Sequence, residues 1–158
     1  MGGSVANNDP VADSPAAVLG LGATVITDKR QIAADDFFKG LFETALGAGE
    51  IITAFSFPMP TRAAYMKFPH PASGYAMSGA FVADFGGTVR VAITGSGNGV
   101  YRWKDAEAAL GKKFSVASLA GLAASPAGMT NDIHGTPEYR ANLVNVMTRR
   151  AVASLTGE

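Results

Sequence analysis

The chain contains no cysteine. Disulfides, thiolate metal sites and cysteine-ligated iron–sulfur clusters are therefore excluded within it. It also carries no net charge, since Lys plus Arg and Asp plus Glu number 13 each. A balanced chain offers no broad basic field to a nucleic-acid backbone or to an acidic membrane surface. Its apolar runs are short, and none approaches the roughly 18 residues needed to span a bilayer. The N-terminus lacks the basic start and apolar stretch of a secretory signal. Together these absences lead to the expectation of a cytoplasmic protein with no nucleic-acid partner and no membrane span.

What the sequence does have is the material for a packed interior. Of 158 residues, 47% are hydrophobic and 16% charged, enough for one ordinary domain or two small ones sharing a core. The 19 glycines exceed the usual share of about 7%. Many sit beside strand-like runs, where glycine permits tight turns or close approach of the backbone to a ligand.

The stretch Gly2 to Asp13 is polar and reads as loop. Asp13-Ser14-Pro15 then opens an Ala/Val/Leu run closed by Gly20 and Gly22, the signature of a short capped helix. Ala23 to Thr27 and Gln31 to Ala33 read as strands, with Asp35 or Asp36 capping a brief helix through Phe38. Ile51 to Phe57 is a strand stopped by Pro58 and Pro60, which places the domain boundary near residue 60. Beyond it, Ala63 to Phe68 is expected as a strand, and Tyr75 to Phe85 and Thr88 to Thr94 as a hairpin turning at Gly86-Gly87. Val100 to Trp103 looks like another strand. The pattern then becomes helical at Ala106 to Leu110, Val116 to Ala123 and Pro137 to Leu155. Tyr139, Leu143, Val146, Met147, Ala151 and Leu155 form the expected buried stripe of the last helix. Strands preceding helices argue for an α+β fold, an antiparallel sheet with helices packed on it.

Few residues carry recognisable chemistry. His70 and His134 have no third ligand at metal-binding spacing and read as turn or surface histidines. Gly95-Ser96-Gly97 mimics a nucleophile elbow, but it leads into a strand where an elbow needs a helix. Gly20-Leu21-Gly22 ends a helix instead of opening one, so it is no dinucleotide fingerprint. The remaining candidate is Gly2-Gly3-Ser4, whose small residues and backbone amides suit a pyrophosphate. Read from the residues alone, the same segment fits an ordinary flexible leader.

The segment Gly2-Gly3-Ser4-Val5-Ala6-Asn7-Asn8-Asp9-Pro10-Val11-Ala12-Asp13-Ser14-Pro15 resembles the second FAD motif of medium subunits of molybdenum hydroxylases. This is the xanthine dehydrogenase and carbon monoxide dehydrogenase family. Asp36 to Leu46, Gly49-Glu50-Ile51-Ile52, Tyr65 to Ser73 and Asp132 to Ala151 follow in the family's order. The Lys67-Phe68…Pro71-Ala72-Ser73 form points to the carbon monoxide dehydrogenase branch.

The resemblance implies residues 1–60 as part of the second subdomain of an FAD-binding module. Residues 61–158 would form a C-terminal α+β domain with a three-stranded antiparallel sheet and about three helices. It implies FAD as cofactor, an iron–sulfur small subunit and a molybdopterin large subunit as partners, and an oxidoreductase as the whole. Gly2, Gly3 and Ser4 would face the FAD phosphates and ribityl chain, Asp13 the adenosine side, Ile52 the cofactor by backbone and packing, and Lys67 the flavin's polar edge. Tyr65 or Tyr75 would cover a flavin face or serve the core, while Glu43, Thr44 and Glu50 would be structural. No residue is expected to be catalytic, and none to bind a metal. The family's first Gly-rich motif precedes the second, so the chain resembles only a C-terminal part. It is then expected to bind FAD weakly or not at all on its own. The alternative expectation is a cofactor-free module for docking a partner subunit.

Overall fold

The computed structural model describes residues 1–158. At its centre lies an antiparallel sheet in the order β6 (Arg62–Pro69), β7 (Ala76–Asp84), β8 (Val89–Thr94) and β9 (Tyr101–Arg102). Side chains alternate across a strand, and both faces of the central strands are covered. On one face Ala80, Val82, Val91 and Ile93 join Leu110, Val144, Met147, Ala151 and Val152 from the C-terminal helices. On the other face Phe81 and Ala92 pack with Val18 and Leu19 of an N-terminal helix. Burial on both faces explains why β7 reads as a nearly continuous apolar run (Ala76–Asp84).

Local chemistry makes the turns and ends of this sheet. Gly86 and Gly87 adopt φ of 80° and 109°, a tight turn closed to L side chains at low cost only by glycine. Asp84 Oδ1 accepts from the Gly87 amide at 2.8 Å, and its Oδ2 pairs with Arg62 at 2.9 Å. Helix α4 (Lys104–Lys112) and the 3₁₀ turn Val116–Leu119 lead to α5 (Pro137–Thr156). Thr136 Oγ1 caps α5 by accepting from the Tyr139 amide at 3.3 Å, Pro137 takes its first turn, and Gly157 ends it at φ 74°.

The N-terminal part forms a smaller layer. Helices α1 (Gly2–Asn7), α2 (Ser14–Gly20) and α3 (Ala34–Phe37) pack around a sheet ordered β2 (Gln31–Ala33), β1 (Thr24–Thr27) and β5 (Ile52–Ser56). A small hairpin, β3 (Phe38–Gly40) and β4 (Glu43–Thr44), lies beside it. Val5, Val18, Val25, Ile32 and Phe37 are its buried centre. Between β1 and β5, Glu50 is buried against Thr27 Oγ1 at 2.7 Å and Arg30 Nε at 3.0 Å. These partners give Glu50 the structural part expected of it. No helix is long and apolar enough to cross a membrane.

Several local expectations change. Residues 2–7 are a helix, not loop, because Val5 is fully buried and Asn8 takes the left-handed conformation that closes a helix end. Burial of one apolar anchor outweighs the poor helix propensity of two glycines. The helix expected from Val116 to Ala123 shrinks to a single 3₁₀ turn ahead of Gly121, which has φ of 80°. The sheet has a fourth strand, because Tyr101–Arg102 pairs with Ala92–Ile93. Asp35 caps nothing. Its carboxylate instead accepts from Arg90 at 2.8 Å. On α5 Leu143, Met147 and Ala151 are buried as the spacing predicts, but Tyr139 is 41% exposed and Arg140, Val144 and Val152 are buried instead. Arg140 is drawn inward by the carbonyls of Met77 and Gly95, at 3.1 and 3.0 Å. That rotates the helix relative to a stripe counted by hydrophobicity alone.

Candidate cofactor-binding site

Gly2, Gly3 and Ser4 form the first turn of α1. The first intrahelical bond runs from the Val5 amide to Met1 O at 3.1 Å. The three preceding amides therefore have no partner within the helix. A Cβ built on Gly2 or on Gly3 would meet nothing within 4 Å. Neither glycine has a positive φ. Nothing inside the fold requires glycine here, although glycine costs a helix about 1 kcal/mol against alanine. The space beside these amides is open to solvent.

From Asn8 the chain crosses to the sheet. Thr94 Oγ1 donates to Pro10 O at 3.0 Å and to Ala12 O at 2.8 Å, and the Gly95 amide donates to Pro10 O at 2.8 Å. This seam delivers Asp13 to the face of β6. Tyr65 and Lys67 are two apart on that strand and so share one face. The Tyr65 hydroxyl donates to Asp13 Oδ1 at 2.5 Å, and Lys67 Nζ donates to Asp13 Oδ2 at 2.7 Å. Lys67 also donates to Gly74 O at 3.0 Å. Gly79 lies opposite Lys67 in register, and a Cβ there would collide with the Tyr65 ring, so the glycine makes room for the tyrosine. Burial, followed by the bond to Asp13, pushes the Tyr65 phenol far above its ordinary range. It remains a proton donor to the carboxylate.

Of the six residues expected to meet the cofactor, the structure brings Asp13 and Lys67 into direct contact. Their charges are spent largely on each other, with the side chains 44% and 27% exposed respectively. Gly2, Gly3 and Ser4 line up on one helical turn. Ile52 is half-buried on β5, opposite Thr27 at a shift in register. Tyr65 serves the Asp13 carboxylate, while Tyr75 is 54% exposed.

Sequence reasoning missed two features near Tyr75. His70 and His134 meet with Nε2···Nδ1 at 3.1 Å, although 64 residues separate them. His70 Nδ1 accepts from the Ala72 and Ser73 amides, so its Nε2 carries the proton it donates to His134. The second is buried Arg140, which pairs with Asp132 at 2.8 Å and pins the loop holding His134. No spacing signal in the sequence announces a contact between two loops this far apart.

The chemistry of this set fits FAD. Free helix amides suit a diphosphate, and a carboxylate beside an ammonium offers an acceptor and donors to a polar ring or a ribose.

Comparison with known proteins identifies the family. Residues 1–60 match the family described as the FAD binding domain in molybdopterin dehydrogenase. Residues 63–155 match the CO dehydrogenase flavoprotein C-terminal domain. The nicotine 6-hydroxylase medium subunit of Paenarthrobacter nicotinovorans is 33% identical, over 96% of this chain and 59% of that protein. The carbon monoxide dehydrogenase medium chain of Afipia carboxidovorans is 32% identical, over 96% of this chain and 58% of that protein. The structure of reconstituted CO dehydrogenase from Oligotropha carboxidovorans superposes with a TM-score of 0.80 at 30% identity, covering 95% of this chain and 58% of that one. The chain thus spans a little under three-fifths of the length of these relatives. With matched models along almost its whole length and the same fold as a solved member, the chain belongs to the FAD-binding medium subunits of CO dehydrogenase-type molybdenum hydroxylases.

Proposed function

We propose that this chain is the part of an oxidoreductase medium subunit that holds one side of FAD and passes electrons from iron–sulfur clusters to an external acceptor. In this reading its partners are an iron–sulfur small subunit and a molybdopterin large subunit, as the family resemblance implies, and the complex is cytoplasmic. Residues 1–60 serve the cofactor module and residues 61–158 the C-terminal domain. The substrate is turned over on the large subunit, and carbon monoxide is the choice closest to the resemblance. When bound, FAD supplies a two-electron carrier that can give up electrons singly or in pairs.

The glycine pair carries the reading. The amides of Gly2, Gly3 and Ser4 donate to the diphosphate, and the missing side chains let it approach. Asp13 accepts from a polar group on the adenosine side, and its bond to Tyr65 keeps the carboxylate aimed. Lys67 lends a donor at the flavin's polar edge, held in place by Asp13 and Gly74 O. Ile52 packs against the cofactor through its backbone and side chain. Each of these groups lies on a surface at least partly open to water. The chain by itself then holds FAD weakly, because solvent-open contacts exchange protein bonds for water bonds at little gain.

Titrating FAD into the purified chain and reading flavin fluorescence tests this. The expected result is weak, saturable binding that Gly3→Val reduces at least tenfold while far-UV circular dichroism stays unchanged. A chain purified yellow with stoichiometric flavin would overturn the weak-binding part. Equal affinity in Gly3→Val would overturn the assignment of the glycine pair.

A further inference from the structure

The connection between β6 and β7 is built around one residue, His70, whose backbone and ring groups are all hydrogen-bonded. Its amide donates to Tyr75 O at 2.7 Å, and its carbonyl accepts from the Gly74 amide at 2.8 Å. Its Nδ1 accepts from the Ala72 and Ser73 amides at 3.2 and 3.4 Å. These bonds stay inside the turn and shape it. Only the Nε2–H group leaves the turn, donating to His134 Nδ1 at 3.1 Å with the two rings at 87°. Because Nδ1 already faces two N–H donors, the proton belongs on Nε2 and His134 is the acceptor.

His134 can hold the turn because its own loop is fixed to the interior. Asp132 Oδ1 accepts from the His134 and Gly135 amides at 2.9 and 3.1 Å, and Oδ2 accepts from Arg140 at 2.8 Å. Arg140 is buried, and it also donates to Met77 O on β7 and to Gly95 O just past β8. At the other end of the turn, Gly74 O accepts from Lys67 Nζ at 3.0 Å, and Gly74 has a φ of 72°. The place of that carbonyl therefore follows from the turn, and the turn from His70. Lys67 has two acceptors, Asp13 Oδ2 and Gly74 O, supplied by different parts of the chain. With one of them displaced, its flexible four-carbon arm is free to swing about the other.

We propose that His134 is a positioning residue for the cofactor face: through His70 it sets the 70–75 turn, and through Gly74 O it fixes the direction of the Lys67 ammonium. His134 itself makes no hydrogen bond to Asp13 or Lys67, so it acts only through its partner ring. The cofactor role rests on the reading of Lys67 as a flavin contact, whereas the hold on the turn exists without any ligand.

Amide hydrogen exchange of the free chain, read by NMR, and FAD titration of the same samples test this. His134→Ala should lower protection of the His70 and Gly74 amides about threefold, the effect of one solvent-exposed hydrogen bond, and should weaken FAD binding by about the same factor. His134→Asn should restore both, since an asparagine Oδ1 stands where the imidazole Nδ1 stood and accepts in the same way. Ile133→Ala, in the same loop and 95% exposed, should change neither. Unchanged protection in His134→Ala, or no rescue by His134→Asn, would overturn the hold on the turn. Lower protection with unchanged FAD affinity would overturn the positioning role. A parent chain that binds no FAD would overturn the flavin reading and the cofactor role with it, and the exchange result would still decide whether His134 holds the turn.

Discussion

The Tyr65 hydroxyl reaches across 52 positions in sequence to hold Asp13 Oδ1 at 2.5 Å, beside the Lys67 ammonium on the other carboxylate oxygen. One carboxylate therefore ties the start of α2 to the face of β6. The arrangement positions both charged residues assigned to the cofactor.

Tyr65→Phe should lower stability by about 1 kcal/mol, below the usual range for a bond to a charged group because Asp13 is partly solvated. Urea unfolding measures this. Gly79→Ala should act in the same direction, since its methyl group displaces the Tyr65 ring from Asp13. A Gly79→Ala, Tyr65→Phe double variant should then lose less than the sum of the two, as expected for residues sharing one interaction. Additive losses would show that Gly79 and Tyr65 act separately.

Acid should expose the part played by Glu50. Arg30, then the Gly47 amide and the Thr27 hydroxyl, lower its carboxyl pKa from 4.5 to about 2. Folding thus favours the ionised form, and the stabilisation is complete above 4.5 and is lost as pH falls toward 2. Glu50→Gln should be less stable than the parent at neutral pH, and the gap should narrow through that window. Urea midpoints taken at neutral pH and on either side of pH 4 would reveal it. A gap constant with pH would assign the stabilisation to neutral hydrogen bonding.

Gly3→Ala should separate stability from ligand binding, because the two are expected to move in opposite directions. Alanine removes backbone freedom from the unfolded chain and meets open space in the folded one, for a gain of up to about 1 kcal/mol. The same methyl group sits beside the amides assigned to the diphosphate, so FAD affinity should fall. Thermal unfolding and flavin titration on one preparation decide it, and a loss of stability would contradict the open-space reading.

Met147→Ala should be the most damaging of these changes. Met147 is 1% exposed in the cluster between α5 and the sheet, and truncating a buried Met to Ala costs about 2–5 kcal/mol. Val146→Ala, its half-buried neighbour, should cost much less. Comparable losses at both positions would mean that α5 is rotated from the orientation described here.

Much of this fold is legible in the sequence. The Gly86-Gly87 turn follows from the need for positive φ at both positions, and the Thr136-Pro137 start of α5 from helix-end chemistry. Both are local, so adjacent residues contain the whole argument. Failures concentrate where a distant group intervenes. Asp13 looked like a helix cap and became the partner of Tyr65 and Lys67. Asp35 looked like a cap and met Arg90. Arg140 sits where polarity predicts water, because carbonyls at the ends of β7 and β8 are waiting for its guanidinium.

By itself the amino-acid sequence determined the α+β class and the order of most elements, since these rest on periodicity and turn chemistry confined to short windows, while the family and its cofactor were legible only through the resemblance of its motifs to known medium subunits. The tertiary structure alone decided that Gly2 to Asn7 would coil into a helix, that Asp13 would meet Lys67, and that Asn8 would be left with a buried acceptor facing no partner. The reason is physical: hydrogen bonds and ion pairs between residues tens of positions apart exist only after burial has brought their elements together, and no local pattern encodes which of several eligible partners will be nearest.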